Sequence, residues 1–242
     1  MAYPLRSLST LMLLLGWLAC SNKPQTVQEL FPDMVVDEKA AAKQFVVKAT
    51  GTDPLIDDLE DGDLVGLKTD GRNWTWEQID DATDGTQYMT IVQPPDAPVP
   101  GKHALYIRGG GWTNSGAGVS ANLVYNATPR SYGSYDASPY TGIRFWVKAR
   151  GLSELTVRIS TPETTASYNG GICRDHCPHS FSSVVAVGEN WIQAEIPFGA
   201  FTLTNGKQSL SVDPTRIKGI EFAFGTEGDY EAWLDELSFY RQ

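Results

Sequence analysis

Residues 142–149 read Gly142-Ile143-Arg144-Phe145-Trp146-Val147-Lys148-Ala149. Ile143, Phe145 and Val147 alternate with Arg144, Trp146 and Lys148, and a period of two is that of a strand with one face on a core and the other in solvent. The pattern recurs on both sides, most clearly over 103–108, 118–125, 154–160, 182–187, 191–198, 217–224 and 231–240. Weaker versions lie over 55–59, 74–79 and 87–92. Short alternating runs broken by Gly, Pro, Asn and Asp, about eleven in all, predict an all-β fold, a sandwich or barrel. Residues 53–242 hold all of these runs, about the length of one large β-domain. There is no internal repeat and no convincing run of helical period inside that span.

The sequence before this domain has a different texture. Arg6 precedes the apolar run 11–18, which ends in Ala19-Cys20. Such a run is shorter than the roughly 20 residues a membrane-spanning helix needs, and has the form of a signal peptide over 1–19. Leu15-Gly16-Trp17-Leu18-Ala19-Cys20 resembles the lipobox of bacterial lipoproteins, which implies diacylglycerol on Cys20 and anchoring through the N-terminal lipid. Trp17 stands where an aliphatic residue is usual, so ordinary cleavage after Ala19 is the alternative. Ser21 follows, and the absence of Asp there goes with sorting to the outer membrane in enteric-type bacteria. Residues 20–52 read as a tether, with good helix formers over 37–44.

The chain carries 19 Lys+Arg against 29 Asp+Glu, a net charge of −10, and loss of Arg6 with the leader makes it more acidic. That balance excludes a nucleic-acid partner, which requires Lys and Arg to displace phosphate counterions, and it suits calcium. With Cys20 lipidated, Cys173 and Cys177 form an even pair in an oxidising compartment, and a short disulfide is expected. His176 and His179 lie beside them, but the spacing is too compact for a structural zinc site, which remains the alternative.

The segment Leu55-Ile56-Asp57-Asp58-Leu59-Glu60-Asp61-Gly62-Asp63 is strongly acidic. Charge runs are usually solvated turns, yet calcium takes six to eight oxygens from such groups. In 231–240, alternation puts Asp235 on the face of Trp233, Leu237 and Phe239, where an unpaired carboxylate is costly without a cation or donor. If the first and last strands pair, Asp235 reaches Glu60. The spacing is not that of an EF-hand, so any calcium is structural and assembled across strands.

That opening segment, the stretch Tyr135-Asp136-Ala137-Ser138-Pro139-Tyr140 running on into Gly142–Lys148, and Trp233-Leu234-Asp235-Glu236-Leu237-Ser238-Phe239 are together similar to galactose-binding-like β-jelly-roll domains. Within them the resemblance is nearest to the family eleven carbohydrate-binding modules and related secreted proteins of unknown activity. It covers about residues 53–242. It implies a β-sandwich jelly roll, a ligand cleft on its concave sheet, and a buried structural calcium held by Glu60, Asp61 or Asp63 together with Asp235.

The outward residues of the alternating strands form a second constellation. If their strands share one sheet, Tyr106, Arg108, Arg144, Trp146, Arg158, Gln193, Glu195 and Glu221 make one strip. Aromatic rings stack on the C–H faces of pyranoses, while amides, carboxylates and guanidinium groups bond their hydroxyls. A solvated face of any antiparallel sheet shows the same alternation. The run Gly109-Gly110-Gly111-Trp112-Thr113-Asn114-Ser115-Gly116-Ala117-Gly118 has no helix after it, which speaks against a nucleotide site; Trp112 either lies near the ligand or caps the core.

Glycosidase chemistry needs two carboxylates across one bond, for which Glu195 and Glu221 qualify only on a shared face. Lyase chemistry needs a base and a cation, supplied in type by Tyr106, His103, Arg108, Arg144 and Arg158. No Gly-x-Ser-x-Gly elbow supports a serine hydrolase. The expectation is non-catalytic polysaccharide or oligosaccharide binding by an exported, membrane-anchored, monomeric lipoprotein. The alternatives are a lyase-type enzyme on the same fold and a cell-surface protein-interaction module.

Overall fold

The computed structural model describes residues 25–98, 102–127, 130–225 and 228–241. In chain order the elements are α1 (Val27–Leu30), β1 (Val35–Val36), α2 (Glu38–Ala41), β2 (Val46–Lys48), β3 (Leu55–Asp57), β4 (Trp76–Asp80), β5 (Thr86–Val92) and β6 (Ala104–Gly110). There follow β7 (Ala117–Asn122), β8 (Tyr125–Ala127), β9 (Arg130–Tyr132), β10 (Ser134–Asp136), β11 (Gly142–Arg150), β12 (Glu154–Ser160) and β13 (Cys173–Asp175). The last are β14 (Phe181–Ala186), β15 (Ile192–Pro197), β16 (Thr202–Thr204), β17 (Ser209–Ser211), β18 (Gly219–Gly225) and β19 (Tyr230–Tyr240). Every run read as a strand from alternation is present, because burying one face leaves period-two segments few alternatives.

Two antiparallel sheets enclose the core. One has six strands in the order β15-β11-β19-β6-β5, with β3 paired to the second half of β19. The other has seven in the order β17-β16-β14-β12-β18-β7-β4. Ile143, Phe145 and Val147 of the first face Leu155, Val157, Ile159 and Phe222 of the second, all at most 1 % exposed. Phe145 and Phe222 meet edge to face at 5.0 Å. Sheets packed in this way form a β-sandwich, as the alternation predicts.

The tether expected over 20–52 is corrected over its described part. Residues 25–49 form an arm laid along the sandwich: β1 pairs with β13, β2 runs parallel to β10, and Val27, Leu30 and Met34 are buried. A capping box of Thr26 and Glu29 starts α1, and Asn205 Nδ2 donates to Leu30 O at 3.0 Å. A four-residue helix has no stability of its own, so docking holds it. The helix formers over 37–44 yield α2, capped by Asp37. The signal segment, Cys20 and Ser21 lie outside the described residues.

The face assigned to Trp233 is also corrected. Glu236 adopts a left-handed conformation, φ 52°, where the register of β11 against β19 shifts. This bulge inverts the parity of β19. Ala232 and Leu234 before it, and Leu237 and Phe239 after it, face the core, while Trp233 and Asp235 share the outer face with Lys148 and Trp146.

Candidate functional site

The expected strip divides between the two sheets. Tyr106, Arg108, Arg144, Trp146, Gln193 and Glu195 lie on the outer face of the six-stranded sheet, whereas Arg158 and Glu221 lie on that of the seven-stranded sheet. Alternation reports which side of its own sheet a residue occupies, not which sheet it belongs to. Glu195 and Glu221 therefore cannot flank one glycosidic bond. The residue types weighed for a lyase are divided likewise, with Arg158 across the sandwich from Tyr106, whose hydroxyl donates to Glu231.

The outer face of the seven-stranded sheet has a low floor, termed the trough, over β7, β18 and β12. Three adjacent strands turn outward Gly118, Ser120 and Asn122 from β7, Gly219, Glu221 and Ala223 from β18, and Thr156, Arg158 and Ser160 from β12. Ser120, Ser160 and Ala223 are only 5–6 % exposed although they point away from the core. The floor has no room for larger groups: a Cβ on Gly118 would sit 2.5 Å from Phe222 O, and one on Gly219 would crowd Asn122 Oδ1 and Ser160 Oγ.

Across this floor Glu77, Ser120, Glu221, Arg158, Ser182, Thr202 and Ser211 stand in cross-strand register on all seven strands. Arg158 Nη1 is 4.0 Å from Glu221 Oε2, and Asn122 Nδ2 donates to Glu77 Oε2 at 3.1 Å. Burial raises the Glu221 carboxyl above the ordinary range, partly opposed by Arg158. The row thus offers guanidinium donors, carboxylate acceptors and hydroxyls of both kinds over a flat base.

The β8–β9 hairpin and the loop after β12 continue from the Asn122 and Ser160 end of this floor. Tyr125 and Tyr132 pack at 5.0 Å, and Tyr168 is 85 % exposed. The Nζ of buried Lys218 donates to Gly170 O at 2.8 Å and lies 5.5 Å from the Tyr132 ring, tying the loop to the hairpin. With no carboxylate beside it, burial lowers its ammonium to about 8. Cys173 and Cys177 are joined in a disulfide within this loop, so neither thiol is available to zinc. Tyr132 and Tyr168 carry no alternating run of their own, since β9 is three residues long and Tyr168 lies in the helical turn Ser167–Asn169.

The six-stranded face is dressed with paired charges: Arg144 with Glu195 at 3.4 Å, Lys148 with Asp96 at 2.5 Å, and Arg150 with Glu231 at 3.5 Å. The glycine-rich loop holds no ligand chemistry. Asp81 Oδ2 accepts from the backbone N–H groups of Asn114, Ser115 and Gly116 at 2.8–3.0 Å, filling the place an anion would take. Trp112 is buried against Gly85 and caps the core.

Of the four residues assigned to calcium, Glu60 and Asp235 come together. The pairing of β3 with β19 brings this about, and Asp235 is 1 % exposed. Its Oδ1 accepts from Glu236 N at 2.7 Å, while its Oδ2 is buried without a partner. Burial, with Glu236 and Glu60 nearby, pushes its carboxyl up to about 7. An orphaned buried oxygen of this kind fits a cation. Asp61 and Asp63 are exposed and cap backbone N–H groups two residues on. Among the described residues no three His, Cys, Asp or Glu side chains converge as a ligand set. Asp57, in the same segment, faces the core instead: it accepts from Trp76 Nε1 at 2.9 Å, and burial raises it to about 6.

Solved structures match this arrangement of sheets. A family 11 carbohydrate-binding module from a cellulosomal cellulase of Clostridium thermocellum aligns over 78 % of this chain and 95 % of its own, with 16 % identity and a TM-score of 0.53. The chain shares the fold of this module. The Clostridium thermocellum family 11 module solved in complex with a β-1,3-1,4-mixed-linked tetrasaccharide aligns over 78 % and 95 %, with 16 % identity and a TM-score of 0.52. An exo-β-agarase aligns over 78 % of this chain and 25 % of its own, with 8 % identity and a TM-score of 0.50. No family model and no curated protein matches the sequence. Among the described residues no helix is long and apolar enough to cross a membrane.

Proposed function

We propose that the domain binds a polysaccharide chain without covalent chemistry, in the trough of the seven-stranded sheet. The observation that carries this reading is the floor itself. Outward positions on β7, β18 and β12 are small or polar, and the half-buried Arg158 and Glu221 stand among them. A sugar chain lying there exchanges hydroxyl–water bonds for bonds to groups already held in place, which limits the entropy cost of binding. The tetrasaccharide bound by a module of the same fold supports the ligand class.

The rest of the proposal places this domain outside the cytoplasm, with Cys20 lipidated and the protein held as a monomer at a bacterial outer membrane. Calcium at Asp235 and Glu60 would neutralise the buried carboxylate and stabilise the junction of β3 with β19. A glycan array probed with the wild-type protein and with Arg158→Ala tests the ligand class. Loss of a charged hydrogen-bond donor costs about 1.5–3 kcal/mol, so Arg158→Ala should weaken the strongest glycan by at least about tenfold. An array without a single retained glycan would refute the proposal.

A further inference from the structure

We propose that the outer face of the six-stranded sheet carries a second glycan site, for a neutral pyranose chain, on the opposite side of the sandwich from the trough. The inference is independent of the trough.

A transverse row runs across this face from Trp191 through Lys148 and Trp233 to Tyr106. Lys148 Nζ lies 5.1 Å from the Trp191 ring and 4.7 Å from the Trp233 ring, and Asp96 binds it through both oxygens at 2.5 and 2.7 Å. Tyr106 packs on Trp233 at 5.0 Å. The indole of Trp233 is covered by Lys148, Arg150 and Tyr106, so it forms a rigid wall that fixes Arg150 and Tyr106 in place. Beside it opens a groove of about 450 Å³ whose walls include Pro94, Pro95, Asp96 and Arg150.

A second hollow of about 420 Å³ adjoins it, holding Arg108 and Tyr88, the latter 50 % exposed. Tyr106 and Arg108 are two residues apart on β6, a step of about 7 Å, so the hollows are consecutive along one face. Glu231 stands between them, accepting from the Tyr106 hydroxyl and pairing with Arg150.

Charge selects the ligand. Lys148, Arg144 and Arg150 already have carboxylate partners, and Arg108 lies over the Tyr88 ring at 5.3 Å, so an anionic glycan would compete with Asp96, Glu195 and Glu231 for three of these four cations. Neutral hydroxyls can instead join the exposed pairs, accepting from Arg150 and donating to Asp96 and Glu231, while an apolar sugar face lies on the exposed ring of Tyr88.

The test is electrophoresis of the whole chain through gels containing a mixed-linked β-glucan, a xylan, a galactan or a galactomannan. Trp233→Ala and Tyr88→Ala should each lose about tenfold in affinity for at least one of these polymers, a loss Arg158→Ala does not share. Tyr88 is exposed, so its loss of binding at an unchanged melting temperature decides the matter even if Trp233→Ala folds poorly. Wild-type retardation of both variants by every polymer, or no retardation of the wild type, overturns the second site. Loss in Arg158→Ala alone leaves the trough and removes this site; loss in Trp233→Ala and Tyr88→Ala alone does the reverse.

Discussion

Leu30 tests whether the arm is part of the fold. It is 1 % exposed within a helix of four residues, and its carbonyl is bonded by Asn205 of the turn between β16 and β17. In a free tether Leu30→Ala would change stability by under about 0.5 kcal/mol. In a docked arm it removes a fully buried side chain and leaves a cavity, at a cost of about 2–5 kcal/mol. For a domain near 200 residues each kcal/mol moves the melting point by about 2–4 °C, so a fall of about 4–20 °C is expected. Thermal and urea unfolding of the wild type, Leu30→Ala and a Val46→Ala control, whose side chain is 46 % exposed, measures it. A Leu30→Ala curve superimposed on the wild type would refute the docked arm.

Reduction of Cys173–Cys177, a link across four positions, should cost about 2 kcal/mol by the loop-closure relation, seen as a lower melting point in dithiothreitol that Cys173→Ser/Cys177→Ser reproduces. Asp57, 1 % exposed, has a folded pKa of about 6 against an ordinary 3.8. Its contribution to stability is therefore complete below about pH 4 and lost as pH rises through 6. Taking the protein from pH 7.5 to 4.5 should raise its stability by about 2 kcal/mol, and Asp57→Asn should flatten that slope in urea titrations. Chelator should lower the melting point of the wild type but not of Asp235→Asn; a wild type indifferent to chelator removes calcium from the account.

The strands were legible because alternation is a local consequence of burying one face. Their distribution between sheets was not, since Arg144 and Arg158 show the same parity and only long-range pairing separates them. The site was accordingly half legible: Arg158 and Glu221 were named, but their neighbours Ser120, Ser160 and Ala223 carry no signal of their own. The bulge at Glu236 did leave a trace, because Ala232-x-Leu234 and Leu237-x-Phe239 are apolar pairs of opposite parity separated by two polar residues. The arm was missed because its buried Val27, Leu30 and Met34 are sparse and of mixed period, and their partner surface is built by strands far along the chain.

The central claim is that the ligand lies across β7, β18 and β12. Thr156 faces outward there, opposite Ala223 and two residues from Arg158, so Thr156→Trp fills the trough without touching the core. Its affinity for the strongest array glycan, measured by calorimetry in a Trp233→Ala background that removes the second face, is predicted to fall at least about tenfold. An affinity equal to that of Trp233→Ala alone would contradict a ligand in the trough.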